Sequence, residues 1–83
     1  MWHYVYILEN THGKHYVGLT DDLNRRLAEH NRGHIPSTAK HMPWKFCHFA
    51  AFPERKTAAE YELYLKSGSG RTFRSRHLII NKW

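Results

Sequence analysis

Phenolic and cationic side chains are concentrated near the start of the chain, where they could exchange protons and bind an anion. Tyr4, Tyr6 and Tyr16 fall in two short β-like segments, and Arg26 and His30 follow at helical spacing. A phenol can donate or accept a proton, and a guanidinium offers paired donors that match phosphate oxygens. For any single tyrosine, the simpler interpretation is that it lies where packing meets water.

One carboxylate in the second half of the sequence has an unusual helical position. With about 100° between successive residues, Glu62 lies near the stripe that Ala58 and Leu65 present to the core. A carboxylate on a buried face is costly unless it is paired or bound to a metal. Two interpretations remain open, a salt bridge to Arg26 or Lys66, and a hard oxygen ligand for Mg²⁺ or Mn²⁺.

A β-hairpin is the element that must position the phenols. Residues 2–9 and 15–20 are rich in aromatic and β-branched side chains, and residues 10–13 between them have turn chemistry. Side chains alternate across a strand, so the pattern predicts one aliphatic core face, made of Val5, Ile7, Val17 and Leu19. The opposite face then carries Tyr4, Tyr6, Tyr16 and Gly18. A glycine inside a strand indicates a bulge or something that approaches the backbone closely.

The first helix should follow this hairpin directly. Asp21 or Asp22 can cap it, Leu23 and Leu27 form its core stripe, and Asn31 and Gly33 stop it. Its exposed face predicts an ion pair between Arg25 and Glu29, with Arg32 beside them. Arg26 and His30 border the core stripe, so we expect them to point over the sheet.

The rest of the chain predicts a loop, a strand and a helix. Residues 33–43 read as a loop and residues 44–52 as a third strand. The next helix should start at Glu54 or Thr57, use residues 57–60 as a capping box, and reach Ser67. Gly68 and Gly70 should end it, and a short basic helix is expected near residues 72–78. The prediction is an α+β domain over residues 1–83, with a small three-stranded antiparallel sheet flanked by helices.

Charge favours a polyanionic partner. Lys and Arg number 13 against 7 Asp and Glu, for a net charge of +6, and no acid follows Glu62. Nucleic acid is therefore the expected partner, whereas apolar runs are far shorter than the roughly 20 residues that a membrane span needs. The single Cys47 excludes an internal disulfide and favours a reducing compartment, so we expect a cytoplasmic protein.

Five segments taken in order resemble the GIY-YIG nuclease superfamily over nearly the whole chain. The two signature triplets correspond to Tyr4-Val5-Tyr6 and Tyr16-Val17-Gly18, and the signature arginine and histidine to Arg26 and His30. Ala58, Glu62 and Lys66 match the helical A-x-x-x-E-x-x-x-K pattern. The short stretches RRLAEHNRG, STAKHMPWK and YLKSGSGR are similar to those of short single-domain bacterial members, which are similar in turn to the excinuclease C nuclease domain.

This resemblance implies a metal-dependent endonuclease acting on DNA, with RNA as a further substrate class and DNA repair or processing as the setting. It implies that Glu62 holds one Mg²⁺ or Mn²⁺, that Arg26 stabilises charge on the phosphate, and that Tyr6 or Tyr16 accepts a proton, directly or through His30. The phenol then needs its acidity raised by the metal, Arg26 or Lys14. Other cations would contact the nucleic-acid backbone, namely Lys14, Arg32, Lys40, Lys66, Arg71, Arg74 and Arg76. We expect a monomer or a weak homodimer that does not bind membranes.

Two features depart from the pattern of the superfamily. The first triplet begins with Tyr4 where the signature has glycine. Many catalytic members also carry an asparagine 12 to 15 residues after the glutamate, and here residues 74–77 read Arg-Ser-Arg-His. Asn81 lies further on. The missing asparagine supports a rival prediction, a nucleic-acid-binding module on the same fold with little or no cleavage.

Overall fold

The computed structural model describes residues 1–79, which form one antiparallel sheet with helices on both faces. The elements in chain order are β1 (His3–Asn10), β2 (His15–Thr20), α1 (Leu23–Asn31), a 3₁₀ turn (Ala39–His41), β3 (Trp44–Phe52), α2 (Arg55–Lys66) and α3 (Gly68–His77). The three strands lie in the order β2-β1-β3, and both pairings are antiparallel. The predicted α+β architecture with a three-stranded antiparallel sheet is confirmed.

The register of the hairpin separates aliphatic from phenolic side chains as alternation requires. Tyr6 pairs with Gly18 and Ile7 pairs with Val17 across β1 and β2. On one face, the aliphatic side chains pack with Ala58 and Leu65 of α2 in the first core of the protein. The phenolic side chains therefore project from the other face.

A second core covers this phenolic face. Tyr6 and Leu8 of β1 are buried with Trp44 of β3, and Leu23 and Leu27 of α1 pack against them. The sheet is thus covered on both sides, and α1 is the element that lies over the phenols.

The predicted start of α1 is confirmed, but its predicted ion pair is wrong. Asp22 is the N-cap, and its carboxylate accepts a hydrogen bond from the Arg25 backbone N–H at 3.0 Å. The Arg25 guanidinium pairs with Asp21 at 2.8 Å, and Glu29 pairs with Arg26 at 3.1 Å. Side chains three or four residues apart are neighbours on a helix. Arg25 therefore pairs with Asp21, which precedes the helix, and Glu29 pairs with Arg26 instead.

The second helix begins three residues earlier than the capping box indicates. The N-cap of α2 is Glu54 rather than Thr57, and it makes no side-chain capping bond. Thr57 and Glu60 therefore lie inside the helix and do not form the predicted box.

The predicted role of Gly68 and Gly70 is also wrong, because both belong to α3. Ser67 ends α2 and caps α3, accepting a hydrogen bond from the Gly70 N–H at 3.1 Å. A side chain on Gly70 would overlap the carbonyl of Tyr64. The glycine therefore permits close packing between the two helices. Within residues 1–79, no helix combines the length and the apolar content that crossing a membrane requires.

Candidate active site

Tyr6 occupies the centre of the phenolic face and is buried. Its side chain is 1 % exposed, and its hydroxyl lies 2.9 Å from His30 Nε2. A Cβ atom on Gly18, the cross-strand partner of Tyr6, would overlap this hydroxyl. The group that approaches the Gly18 backbone closely is therefore the Tyr6 phenol, and the glycine is what makes room for it.

Burial makes the Tyr6 phenol a weaker acid. Loss of solvent raises the pKa of the phenol to about 12, and the nearby Arg26 guanidinium only partly opposes this. The phenol is therefore protonated at neutral pH. The expected increase in its acidity from Arg26 is too small to offset burial.

Tyr16 is the more accessible of the two phenols. It lies on β2, the outer strand of the sheet, and its side chain is half-buried. Its ring is 4.9 Å from the His30 ring and 6.4 Å from the Tyr6 ring, measured between centroids. The three rings form one cluster in which Tyr16 is the member that solvent reaches.

Tyr4 belongs to a different part of the same face. Its ring contacts Phe49 of β3 edge-on, with the centroids 6.5 Å apart. Phe49 is 54 % exposed, so this contact lies at the surface. Tyr4 is therefore outside the group around His30.

Arg26 reaches this group from α1. Hydrogen bonding with Tyr6 raises the pKa of the guanidinium, and the Glu29 carboxylate 3.1 Å away adds to the effect. Its Nε is nevertheless buried and has no well-formed hydrogen bond with any described residue. One donor of Arg26 therefore remains available for another acceptor.

Glu62 lies on α2, the helix that packs on the aliphatic face of the sheet. Its charge contributes to the raised pKa of Tyr6, although the side chains form no direct hydrogen bond. Its side chain is 20 % exposed and pairs with Lys66 at 3.0 Å, one turn further along the helix. Of the two salt bridges considered from the sequence, the pair with Lys66 is therefore present.

The structure also identifies a cleft that the sequence reasoning missed. Arg25, Arg26 and Arg55 line it together with His3, and its volume is about 380 Å³. Arg55 begins α2 and Arg26 lies in α1, so the fold alone brings them together. Asp21 balances part of this charge through its pair with Arg25. The cleft offers guanidinium groups at the edge of the catalytic cluster.

The other predicted cations lie on several elements. Lys14 lies in the hairpin turn, and its Nζ is 3.3 Å from His41 Nε2. Lys40 precedes His41 in the 3₁₀ turn. Arg32 caps the end of α1. Lys66 ends α2, and α3 carries the last three, Arg71, Arg74 and Arg76. Of these seven residues, Arg74 is half-buried and the other six are exposed. Asn81 and Lys82 lie outside the described residues.

A second group of potential metal ligands lies on the opposite face of the sheet. Ligand atoms of Glu9, His15 and Cys47 are within 4.8 Å of one another. A set of oxygen, nitrogen and sulfur donors is typical of zinc rather than magnesium. Arg74 lies close enough to lower the pKa of His15, after the larger effect of burial, so a bound cation would face its repulsion. This group does not replace Glu62 as a ligand for a hard cation.

Comparison with known proteins agrees with this arrangement. The GIY-YIG catalytic domain model matches residues 2–76. UPF0213 protein ORF82 of Orgyia pseudotsugata multicapsid polyhedrosis virus is 40 % identical over 75 residues, which cover 87 % of this chain and 71 % of the relative. A UPF0213 protein of Haloquadratum walsbyi is 39 % identical over 67 residues, or 80 % of this chain and 75 % of the relative.

A solved structure shows the same fold. The solution NMR structure of a UPF0213 protein from Bacillus halodurans superposes with a TM-score of 0.57 at 35 % identity, covering 92 % of this chain and 82 % of that one. The family match spans both triplets, the Arg26 and His30 positions and the segment with Glu62. The chain therefore belongs to the GIY-YIG nuclease superfamily.

Proposed function

We propose that this protein is a metal-dependent endonuclease that hydrolyses phosphodiester bonds in DNA. The observation that carries the proposal is the convergence of Tyr16, His30 and Arg26 around Tyr6, with Glu62 electrostatically coupled to the same phenol. A guanidinium beside buried phenols, together with a carboxylate whose charge acts on one of them, provides the groups that a phosphate ester needs for stabilisation and proton transfer.

Arg26 is the residue assigned to the phosphate. Its charge is fixed, because hydrogen bonding to Tyr6 raises its pKa further, and its Nε retains an unused donor. A donor held in a buried site interacts more strongly with charge that develops in the transition state than a donor in water does. Substrate binding would supply the acceptor that Nε lacks.

Tyr16 is assigned to the attacking water. Tyr6 is 1 % exposed, so its hydroxyl is shielded, whereas Tyr16 is half-buried at the edge of the sheet. The ring contact with His30 positions Tyr16 beside the buried phenol. Both nitrogens of that imidazole already face hydroxyl groups, so the proton from the water would pass from Tyr16 to solvent. Tyr6 then serves to hold His30 and Arg26 rather than to deprotonate water.

Glu62 is the residue assigned to a divalent cation. Its carboxylate is a hard oxygen donor, and its partner Lys66 is 49 % exposed, so the lysine can leave it for water. Water and phosphate oxygens would complete the ligand set for Mg²⁺ or Mn²⁺. A bound cation of this kind polarises the phosphodiester and stabilises charge on the leaving oxygen.

The exposed lysine and arginine side chains are assigned to contacts with the nucleic-acid backbone. We place the protein in the cytoplasm, where it would act in DNA repair or processing. If about five phosphates are neutralised on duplex DNA, the slope of log affinity against log salt is roughly −4 to −5. This function requires neither a membrane nor more than a monomer or a weak homodimer.

A cleavage assay with matched variants tests the proposal. Plasmid, single-stranded and branched DNA, and RNA, are incubated with the protein in Mg²⁺ or Mn²⁺. Glu62→Gln and Arg26→Ala should abolish cleavage while binding persists. Glu60→Gln, an exposed carboxylate on the same helix, should cut like wild type.

The second candidate is a binding module without cleavage. It is favoured by residues 74–77, which hold no asparagine, and by the pairing of Glu62 with Lys66. Binding without cleavage of any of these nucleic acids, or equal cleavage by Glu62→Gln, would select it over the endonuclease. Cleavage of RNA alone would retain the chemistry and change the substrate.

A further inference from the structure

Thr38 is a buried hydroxyl that the chemistry described so far does not use. It precedes the 3₁₀ turn and is 1 % exposed. The Trp44 indole N–H donates a hydrogen bond to its carbonyl at 3.0 Å, which ties this part of the loop to β3. Its Oγ1 lies 2.8 Å from His30 Nδ1. His30 is therefore held between two hydroxyls, Thr38 at Nδ1 and Tyr6 at Nε2.

The direction of these two hydrogen bonds depends on which nitrogen of His30 carries the proton. The ring is fully buried, and burial, with the positive charge of Arg26 adding to it, lowers the pKa of His30 against a small opposing effect of Glu29. His30 is therefore neutral at pH 7. Among residues 1–79, the charged groups that act on it are Arg26 and Glu29, and the phenols of Tyr6 and Tyr16 lie against its ring. A neutral imidazole has one donor and one acceptor.

The groups around the Tyr6 hydroxyl indicate which nitrogen of His30 accepts a hydrogen bond. The Tyr6 hydroxyl lies within hydrogen-bond distance of His30 Nε2. Arg26, on the other side of this oxygen, carries only donors. If Nε2 bore the proton, the Tyr6 oxygen would face donors alone and its own proton would be buried without an acceptor, which is costly. Nε2 must therefore accept from Tyr6.

The surroundings of Thr38 are compatible with the same assignment. Its Oγ1 lies 3.4 Å from the Ile35 carbonyl, which can only accept. A hydroxyl has one proton. When Thr38 donates that proton to the Ile35 carbonyl, its Oγ1 accepts a hydrogen bond from His30 Nδ1. Both ends of the imidazole thus agree on one tautomer.

We propose that Thr38 is a positioning residue that holds His30 as its Nδ1–H tautomer, so that Nε2 fixes the Tyr6 hydroxyl and the Tyr6 oxygen faces Arg26. The donors then all run in one direction, from Arg26 through Tyr6, His30 and Thr38 to the Ile35 carbonyl. The tautomer does not depend on catalysis. Its consequence for cleavage, the orientation of Arg26 toward the phosphate, rests on the proposed endonuclease function.

Nitrogen NMR of the ¹⁵N-histidine-labelled protein measures the tautomer without any substrate. Long-range ¹H–¹⁵N spectra at pH 7.5 should show His30 with a protonated Nδ1 and an unprotonated Nε2. Thr38→Ser retains the hydroxyl and should keep this pattern, whereas Thr38→Val removes it with little change of shape and should shift the pattern toward Nε2–H. Ser37→Ala, an exposed neighbour, should change nothing.

Cleavage kinetics provide the second readout. Thr38→Val should lower kcat roughly 10- to 100-fold, in the range known for groups that orient functional histidines, with KM nearly unchanged, and Thr38→Ser should restore most of it. A wild-type His30 protonated at Nε2 would overturn the proposal even if Thr38→Val failed to fold. If wild type shows the Nδ1–H tautomer but cuts nothing, the positioning role stands and the endonuclease proposal fails.

Discussion

At the scale of single residues, the candidate site depends on groups that have little freedom to move. Tyr6 fills the space where Gly18 has no side chain, and its hydroxyl is fixed by His30. Such residues are functional only in combination, because each one sets the position of the next. Their substitution should therefore affect stability and chemistry together.

Gly18→Ala tests this dependence. The new methyl group would overlap the Tyr6 hydroxyl and force the ring away from His30. Overpacking of this kind typically costs about 1–3 kcal/mol, so urea denaturation should show a loss of that size, with the His30 nitrogen signals also changed.

Gly68→Ala is the matched control for this substitution. A Cβ atom there meets nothing within 4 Å, and the residue begins α3. The free energy of unfolding should stay the same or rise by up to about 1 kcal/mol. A Gly18→Ala variant as stable as this control would contradict the tight contact.

Single-residue chemistry was predictable from the sequence only in part. Alternation along β1 and β2 grouped Tyr6, Tyr16 and Gly18 correctly, because side-chain parity is a property of the strand itself. Thr38 and Arg55 gave no such signal. Thr38 belongs to a loop, and Arg55 meets Arg26 only through the packing of α2 against the sheet, so neither contact has a local pattern.

At the scale of elements, the placement of α1 over the phenolic face depends on one asparagine. The Asn31 side chain donates to the Trp44 carbonyl at 2.9 Å and accepts from the Trp44 N–H at 2.7 Å. This pair of hydrogen bonds joins the end of α1 to the start of β3. It also places His30, the preceding residue, over the sheet.

Asn31→Ala should therefore loosen α1 from the sheet. The Trp44 backbone loses two part-buried hydrogen bonds, each worth about 0.5–1.5 kcal/mol, although water can reach the exposed Asn31 position. Urea denaturation should show a loss of about this size, whereas Asn24→Ala, another exposed asparagine of the same helix, should change stability by less than about 0.5 kcal/mol. Equal effects of the two substitutions would exclude the proposed clamp.

The start of α2 contributes to the arginine-lined cleft, which suggests a phosphate contact. Arg55→Ala should weaken DNA binding and reduce the magnitude of the salt slope by about 1. Lys56→Ala removes an equal charge from the next residue, which does not line the cleft. A smaller effect of Lys56→Ala in a fluorescence binding titration would support the cleft, and identical effects would argue for general electrostatic attraction instead.

The boundary between α2 and α3 was predicted wrongly because the same glycines fit two different structures. Gly68 and Gly70 looked like terminators of α2, yet Ser67 caps a new helix there and Gly70 allows close contact with Tyr64. Glycine can end a helix or permit close packing between helices, and only the packing of α3 on α2 distinguishes the two cases. The strands were predictable almost to the residue because their hydrophobic alternation had no competing signal.

At the scale of the whole molecule, one buried and two half-buried histidines should make stability depend on pH. Burial lowers the pKa values of His15, His30 and His48 below the ordinary value of 6.5. As the pH falls below about 6.5, the unfolded chain gains protons before the folded protein does. The free energy of unfolding should therefore be level above this pH and decrease below it.

Chemical denaturation between pH 8 and pH 5 measures this dependence. Each histidine contributes a slope of at most about 1.4 kcal/mol per pH unit. His30→Gln should reduce the slope, and His12→Gln, an exposed position in the hairpin turn, should leave it unchanged. Stability that rises toward acid pH would contradict the buried neutral state of these side chains.

The pairing of β1 with β2 places Ile7 opposite Val17 and Tyr6 opposite Gly18. A slip of one residue would exchange the two faces, turning the phenols toward α2 and the aliphatic side chains toward α1. Such a misfolded form would lose its hydrophobic packing and the contact of Tyr6 with His30 at once. The pairing register that builds the two cores of the protein therefore also assembles the proposed site.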